Sequence, residues 1–203
     1  MRSATERKEL TQVARQLFPK EVHQTLVQFI KERAQFLPLE YDGEMFSRFM
    51  AQNVGIFQHI HNQLADFVSE QFKEQVKPSY SFLSMYDNNG ICPLHIDREQ
   101  CLYTVDYLIC QDDPTPWPIY VGRPISDEER QQICNAGAAQ PENRDDILRI
   151  KKEQKFTKIE LEPNDAVLYS GTHQWHYRDR INCGTADLAF FHFVPKAFNG
   201  SLV

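Results

Sequence analysis

A chain of 203 residues suggests one domain, long enough to bury a core without disulfide or metal staples. Hydrophobic residues make up 41% and aromatic residues 12%, which excludes intrinsic disorder. The net charge of -6 disfavours a nucleic-acid partner, because phosphate neutralisation supplies much of such affinity.

In chain order, residues 4–18 read as a polar helix with Leu10, Val13, Ala14 and Leu17 at helical spacing. Pro19 opens a second helix with Val22, Leu26, Phe29 and Ile30 as its apolar stripe. Pro38 and Gly43 interrupt the pattern, and a third helix is predicted over 57–72, with Ile60, Leu64, Phe67 and Val68 on one face. Residues 1–77 thus read as a helical support that covers one face of a sheet.

From Pro78 the texture becomes that of strands. SYSFLSMY (79–86) is followed by an Asn88-Asn89-Gly90 turn, then by CLYTVDYLIC (101–110) and WPIYV (117–121). FTKIELEP (156–163), AVLYSG (166–171), residues 173–178 and LAFFHFV (188–194) complete the set. Many short strands with irregular connections predict a jelly roll over 78–203, interrupted by an insertion at about 112–155. Two charged helices within 126–155 are read either as a lid or binding loop or as a solvated surface excursion.

Five cysteines, an odd number with no CxxC pair, disfavour a disulfide framework or structural zinc. The N-terminus lacks the apolar core of a signal peptide, and no apolar run approaches the roughly 20 residues that span a bilayer. The expectation is a cytoplasmic protein with no membrane or nucleic-acid partner. The oligomeric state is not legible.

The chemistry concentrates in two segments. PLHIDREQC places His95 and Asp97 two residues apart, so on a strand both side chains reach one face. A third ligand from a distant strand would complete the 2-His-1-carboxylate set of non-haem iron oxygenases. NDAVLYSGTHQWHYRDRI offers His173 or His176, with His176 preferred because Tyr177-Arg178 and a strand end follow it. Arg178 shares a face with His176 if the segment is extended, and its guanidinium suits bidentate grip on a carboxylate. Arg180 is the alternative. His59 and His61 form an HxH on a predicted helix, where i and i+2 do not share a face, so a cupin-type site using them is disfavoured.

On PSYSFLSMYDNNGICPLHIDREQCLYTVDYLI (78–109), PWPIYV (116–121), NDAVLYSGTHQWHYRDRI and FFHFV (within 164–194), the chain resembles the 2-oxoglutarate/Fe(II)-dependent dioxygenases, in their prolyl-4-hydroxylase-like branch. The HIDREQC core looks like that of a mostly uncharacterised bacterial subgroup. The resemblance implies an α+β fold, a double-stranded β-helix (jelly roll) flanked by N-terminal helices. It also implies Fe(II) held by His95, Asp97 and His176, 2-oxoglutarate as cosubstrate, and ascorbate as a supporting reductant. By the same resemblance Tyr86 and Tyr107 line the cosubstrate pocket with Arg178, although either tyrosine suits a core position equally. An intact Asp97 favours hydroxylation over halogenation, with desaturation or cyclisation still open. The substrate would be a small molecule, a natural product, an amino acid or a peptidyl side chain.

One position departs from the pattern. The family usually carries Lys or Arg about ten residues after the distal histidine, and here that position is Ala186. His192, on the last strand, reads as a core histidine or a pocket residue. A non-catalytic metal-binding jelly roll is the competing reading.

Overall fold

The structure is a computed structural model and describes residues 11–202. In chain order the elements are β1 (Gln12–Ala14), α1 (Lys20–Arg33), β2 (Glu40–Asp42), β3 (Arg48–Gln52), α2 (Gly55–Phe72), β4 (Val76–Tyr86), β5 (Cys92–His95), β6 (Tyr103–Gln111) and β7 (Ile119–Pro124). Then come α3 (Asp127–Asn135), α4 (Arg144–Gln154), β8 (Thr157–Ile159), β9 (Ala166–Tyr169), β10 (Gln174–Arg178) and β11 (Ala186–Pro195). Among the described residues no helix is long and apolar enough to cross a membrane.

The strands form two antiparallel sheets. The major sheet has seven strands in the order β1-β9-β6-β11-β4-β3-β2, and the minor sheet has four in the order β5-β10-β7-β8. The period-two alternation of side chains decides what each strand presents to which side. On β6, Tyr103, Val105, Tyr107 and Ile109 face the helices, in one core with Leu26 of α1 and with Phe57, Leu64, Val68 and Phe72 of α2. The alternate residues Thr104, Asp106 and Leu108 turn towards the interior between the sheets, where Leu108 packs with Ile119, Val121 and Leu188. β11 splits in the same way, with Phe191 and Phe193 against the helices and Leu188 and Phe190 between the sheets. Each such fully buried aromatic contributes about 1.5–3 kcal/mol of hydrophobic stabilisation.

The N-terminal helices hold only in part. α1 and α2 form, but Val13 and Ala14 lie on an edge strand rather than a helix, paired with Val167 and Ala166 of β9. The unpaired edge of β9 supplies ladder partners there, and Leu17 N–H continues the attachment with a 2.7 Å bond to Asn164 O. The remainder of that expectation, residues 4–10, lies outside the described residues. β2 and β3, in the predicted helical third, add two strands to the major sheet instead.

The insertion folds as α3 and α4 between β7 and β8. A capping box of Ser126 and Glu129 starts α3, and Asn143 caps α4. Ile150 packs with Trp175 and Tyr177 on the outer face of the minor sheet. No residue of 126–155 lines the interior cavity described below. Residues 126–155 thus pack behind the minor sheet, and the α3–α4 connection reaches the site's edge through Ile96 N–H to Ala139 O at 2.9 Å.

Candidate metal centre

Between the sheets lies a cavity of about 400 Å³, and His95, Asp97 and His176 all open onto it. β5 pairs with β10 so that His95 and His176 are cross-strand partners, with ring centroids 4.2 Å apart. Asp97 follows the end of β5 and is tied down by its backbone N–H, which donates to Gly171 O at 2.8 Å. His95 Nε2 lies 3.3 Å and His176 Nε2 3.7 Å from Asp97 Oδ1. Two donors bound at about 2.1 Å to one ion and at right angles to each other stand about 3 Å apart, so this spacing fits a single metal.

The tautomers fit as well. His95 Nδ1 lies 2.7 Å from Pro93 O, and His176 Nδ1 lies 2.9 Å from Gln174 O. A carbonyl only accepts, so each Nδ1 carries a proton and each Nε2 is the ring nitrogen that faces the centre, where a metal would displace any proton it holds. This is the usual outer support of metal-binding histidines. Burial would push the Asp97 carboxyl up, but His176 and His95 beside it hold it far below the usual carboxylate range. Burial and the neighbouring His95 push His176 down to about 4. Burial acts against a charge on His95 too, yet Cys92 and Asp97 outweigh it and raise its pKa. Asp97 thus stays ionised beside the two imidazoles.

Arg178 also faces the cavity, and it is buried. Its guanidinium donates to Asp106 Oδ2 at 2.8 Å and to the Trp117 carbonyl. Burial raises the Asp106 pKa, and Arg178 pulls it back. Tyr86 lies in the same wall, its phenol pushed up to about 12 by burial against the pull of Arg48 and Arg178.

Tyr107 does not reach the cavity. Its position on β6 turns it to the helical side, where its hydroxyl meets His23 Nδ1 at 2.7 Å and donates to Asn164 Oδ1 at 3.2 Å. His173 is buried away from the cavity, against Thr172 and Asp127. Arg180 is exposed and closes the turn at Asn89. His59 is exposed, whereas His61 is buried under β11 with Nε2 2.8 Å from His192 O, so the HxH does not converge.

Two charged cavity residues, Asp106 and Arg48, are absent from the sequence reading. Asp106 was detectable as a lone acid in an apolar strand, at the inward parity of Thr104. Arg48 was not, because β3 itself was not predicted. His192, read as a core histidine or a pocket residue, is a pocket residue. It sits in the cavity wall with Nδ1 3.0 Å from Thr104 Oγ1, burial lowers it to about 3, and its Nε2 is buried with no partner. With Asp97 and Cys101 it forms a second cluster of donor atoms, all within 4.8 Å of one another.

No family model matches the chain, and no curated protein matches its sequence. Solved structures do match. The non-haem α-ketoglutarate-dependent carbocyclase SnoK of nogalamycin biosynthesis superposes with TM-score 0.72 at 9% identity, over 95% of this chain and 85% of that one. The fold is the double-stranded β-helix of 2-oxoglutarate oxygenases. HygX from Streptomyces hygroscopicus, solved with nickel, 2-oxoglutarate and hygromycin B bound, matches with TM-score 0.62 at 11% identity, covering 94% of this chain and 85% of that one. A prolyl-4-hydroxylase from Pseudomonas putida matches with TM-score 0.61 at 9% identity, over 93% and 94%. Likeness at these identities establishes the architecture, and the chemistry is argued from the site.

Proposed function

We propose that this protein is a 2-oxoglutarate- and Fe(II)-dependent dioxygenase that hydroxylates an unactivated C–H bond of a small-molecule, amino-acid-like or peptidyl substrate. One observation carries the proposal. Two imidazole Nε2 atoms and one carboxylate, from β5, its end and β10, converge on a single point at the wall of an open cavity. Three ligands on one side leave the other side free for a chelating keto acid and oxygen. HygX, of the same architecture, binds nickel and 2-oxoglutarate.

His95, Asp97 and His176 would hold the iron. Together, iron and 2-oxoglutarate supply the oxidation of a C–H bond by dioxygen, with release of succinate and carbon dioxide. The protein's own residues orient and line the site. Pro93 O and Gln174 O fix the imidazoles, and Gly171 O fixes the Asp97 backbone. Phe82, Phe190 and Tyr80 give the cavity an apolar wall for the substrate. Asp97 occupies the carboxylate position and favours hydroxylation over halide transfer.

The proposal is tested by succinate release. Purified protein supplied with Fe(II), ascorbate and 2-oxoglutarate in air should produce succinate slowly without substrate, and Asp97→Ala should not. Equal release by the variant rejects the assignment.

A further inference from the structure

The basic residue expected near position 186 is absent, and the sheet register indicates what takes its place. Ala186 of β11 is the partner of Tyr86 on β4, and Tyr86 is in turn the partner of Arg48 on β3. The three residues form one row across three adjacent strands, so their side chains share a face. Arg48 and Tyr86 both line the cavity. An arginine two strands from the small Ala186 thus projects into the same cavity from the side.

Arg48 is equipped as an anion site. Its Nη1 donates to Ser84 Oγ and to Tyr86 OH, each at 3.2 Å. The guanidinium lies 4.0 Å from the Phe46 ring centroid and 5.3 Å from that of Phe82, so aromatic walls hold its plane. Among the described residues no carboxylate pairs with it, and its Nε is buried without a partner. Arg178 also lies over a ring, 4.9 Å from the Trp117 centroid, but Asp106 already offsets its charge. Charge balance points the same way. A dication, the Asp97 carboxylate and the two carboxylates of 2-oxoglutarate leave one uncompensated negative charge in a low-dielectric cavity. Arg48 cancels it, while Arg178 and Asp106 cancel each other.

We propose that Arg48, with Tyr86 beside it and Ser84 holding its guanidinium, grips the distal carboxylate of 2-oxoglutarate, in place of the missing basic residue on β11 and in preference to Arg178. This rests on the dioxygenase reading above. Arg48 would then be a cosubstrate-binding residue that the chain borrows from its N-terminal third.

The test is binding under anaerobic conditions to Ni(II)-loaded protein, with two ligands that chelate identically: 2-oxoglutarate, and 2-oxobutyrate, which lacks the distal carboxylate. Arg48→Gln should weaken 2-oxoglutarate by about tenfold or more and 2-oxobutyrate by less than about twofold, because one charge-assisted contact is lost only for the former. Arg48→Lys, which keeps the charge and guards against a folding defect in the glutamine variant, should still prefer 2-oxoglutarate over 2-oxobutyrate. Unchanged 2-oxoglutarate affinity in Arg48→Gln, or equal weakening of both ligands, overturns the proposal. Wild-type protein that binds metal but neither keto acid overturns the dioxygenase reading itself, a different failure.

Discussion

His176 lies directly across from His95 on the paired strands β10 and β5, and a metal bound by both would clamp the two strands together. Metal should therefore stabilise the fold as well as enable chemistry. At a free concentration one hundred times the dissociation constant, the gain is about 2.7 kcal/mol. Thermal melts should show a higher Tm with Ni(II) or anaerobic Fe(II), a return to baseline with chelator, and a much smaller gain in Asp97→Ala. A wild-type Tm indifferent to metal would contradict the clamp.

Gly171 is needed for its lack of a side chain. A Cβ built there would collide with Asp97 Oδ2 and stand 2.7 Å from Cys101 O and 2.9 Å from Thr104 Oγ1. Gly171→Ala should displace the Asp97 carboxylate and lower metal affinity by about tenfold or more, with a smaller loss of stability. Calorimetric titration with Ni(II) measures this, and an unchanged affinity would show that Asp97 does not bind the metal from this position.

The Arg178–Asp106 pair is buried, at 3% and 1% side-chain exposure. Removing one partner of such a pair strands a charge and costs about 3–5 kcal/mol, whereas replacing both with apolar groups is often near neutral. In urea unfolding, Asp106→Ala should be strongly destabilised, and Asp106→Leu combined with Arg178→Met should recover most of the loss. Additive losses in the double variant would show that the two side chains do not form one unit.

His61 sets part of the acid sensitivity. Burial lowers its pKa from 6.5 to about 4, against the opposing hydrogen bond to His192 O. Between those values the unfolded chain takes up a proton that the folded chain refuses, so stability falls as pH drops from about 6.5 towards 4. The full effect is about 3 kcal/mol, of which about 2 kcal/mol is lost by pH 5. Unfolding free energies at pH 7.5 and pH 5 should differ more for wild type than for His61→Gln. Parallel pH dependence would show that His61 is not the group responsible.

Legibility in the sequence followed the range of the interactions involved. α2 and β6 were readable because their own periodicities, 3.6 and 2, decide which side chains are buried. The His95/Asp97 pair was readable from its two-residue spacing, although β5 ends at His95 and Asp97 is aimed by its backbone bond to Gly171 O rather than by a strand. Tyr107 illustrates the limit. Its strand was evident, but which parity faced the cavity depended on how the strand was covered, and α1 and α2 cover the side of Tyr107. β1 looked helical because Leu10, Val13, Ala14 and Leu17 suit a helix, and only the open edge of β9 supplies the competing ladder bonds. Arg48 had no local signal at all. Its place beside Tyr86 comes from the pairing of β3 with β4, a long-range relationship that no window of sequence contains.

The most direct test of the account is optical. Anaerobic protein loaded with one equivalent of Fe(II) is titrated with 2-oxoglutarate, and the weak visible charge-transfer band of the iron–keto acid chelate is followed. The account predicts a band that saturates at one keto acid per chain and is absent in Asp97→Ala. Iron-loaded wild-type protein that shows no band at saturating 2-oxoglutarate would contradict it.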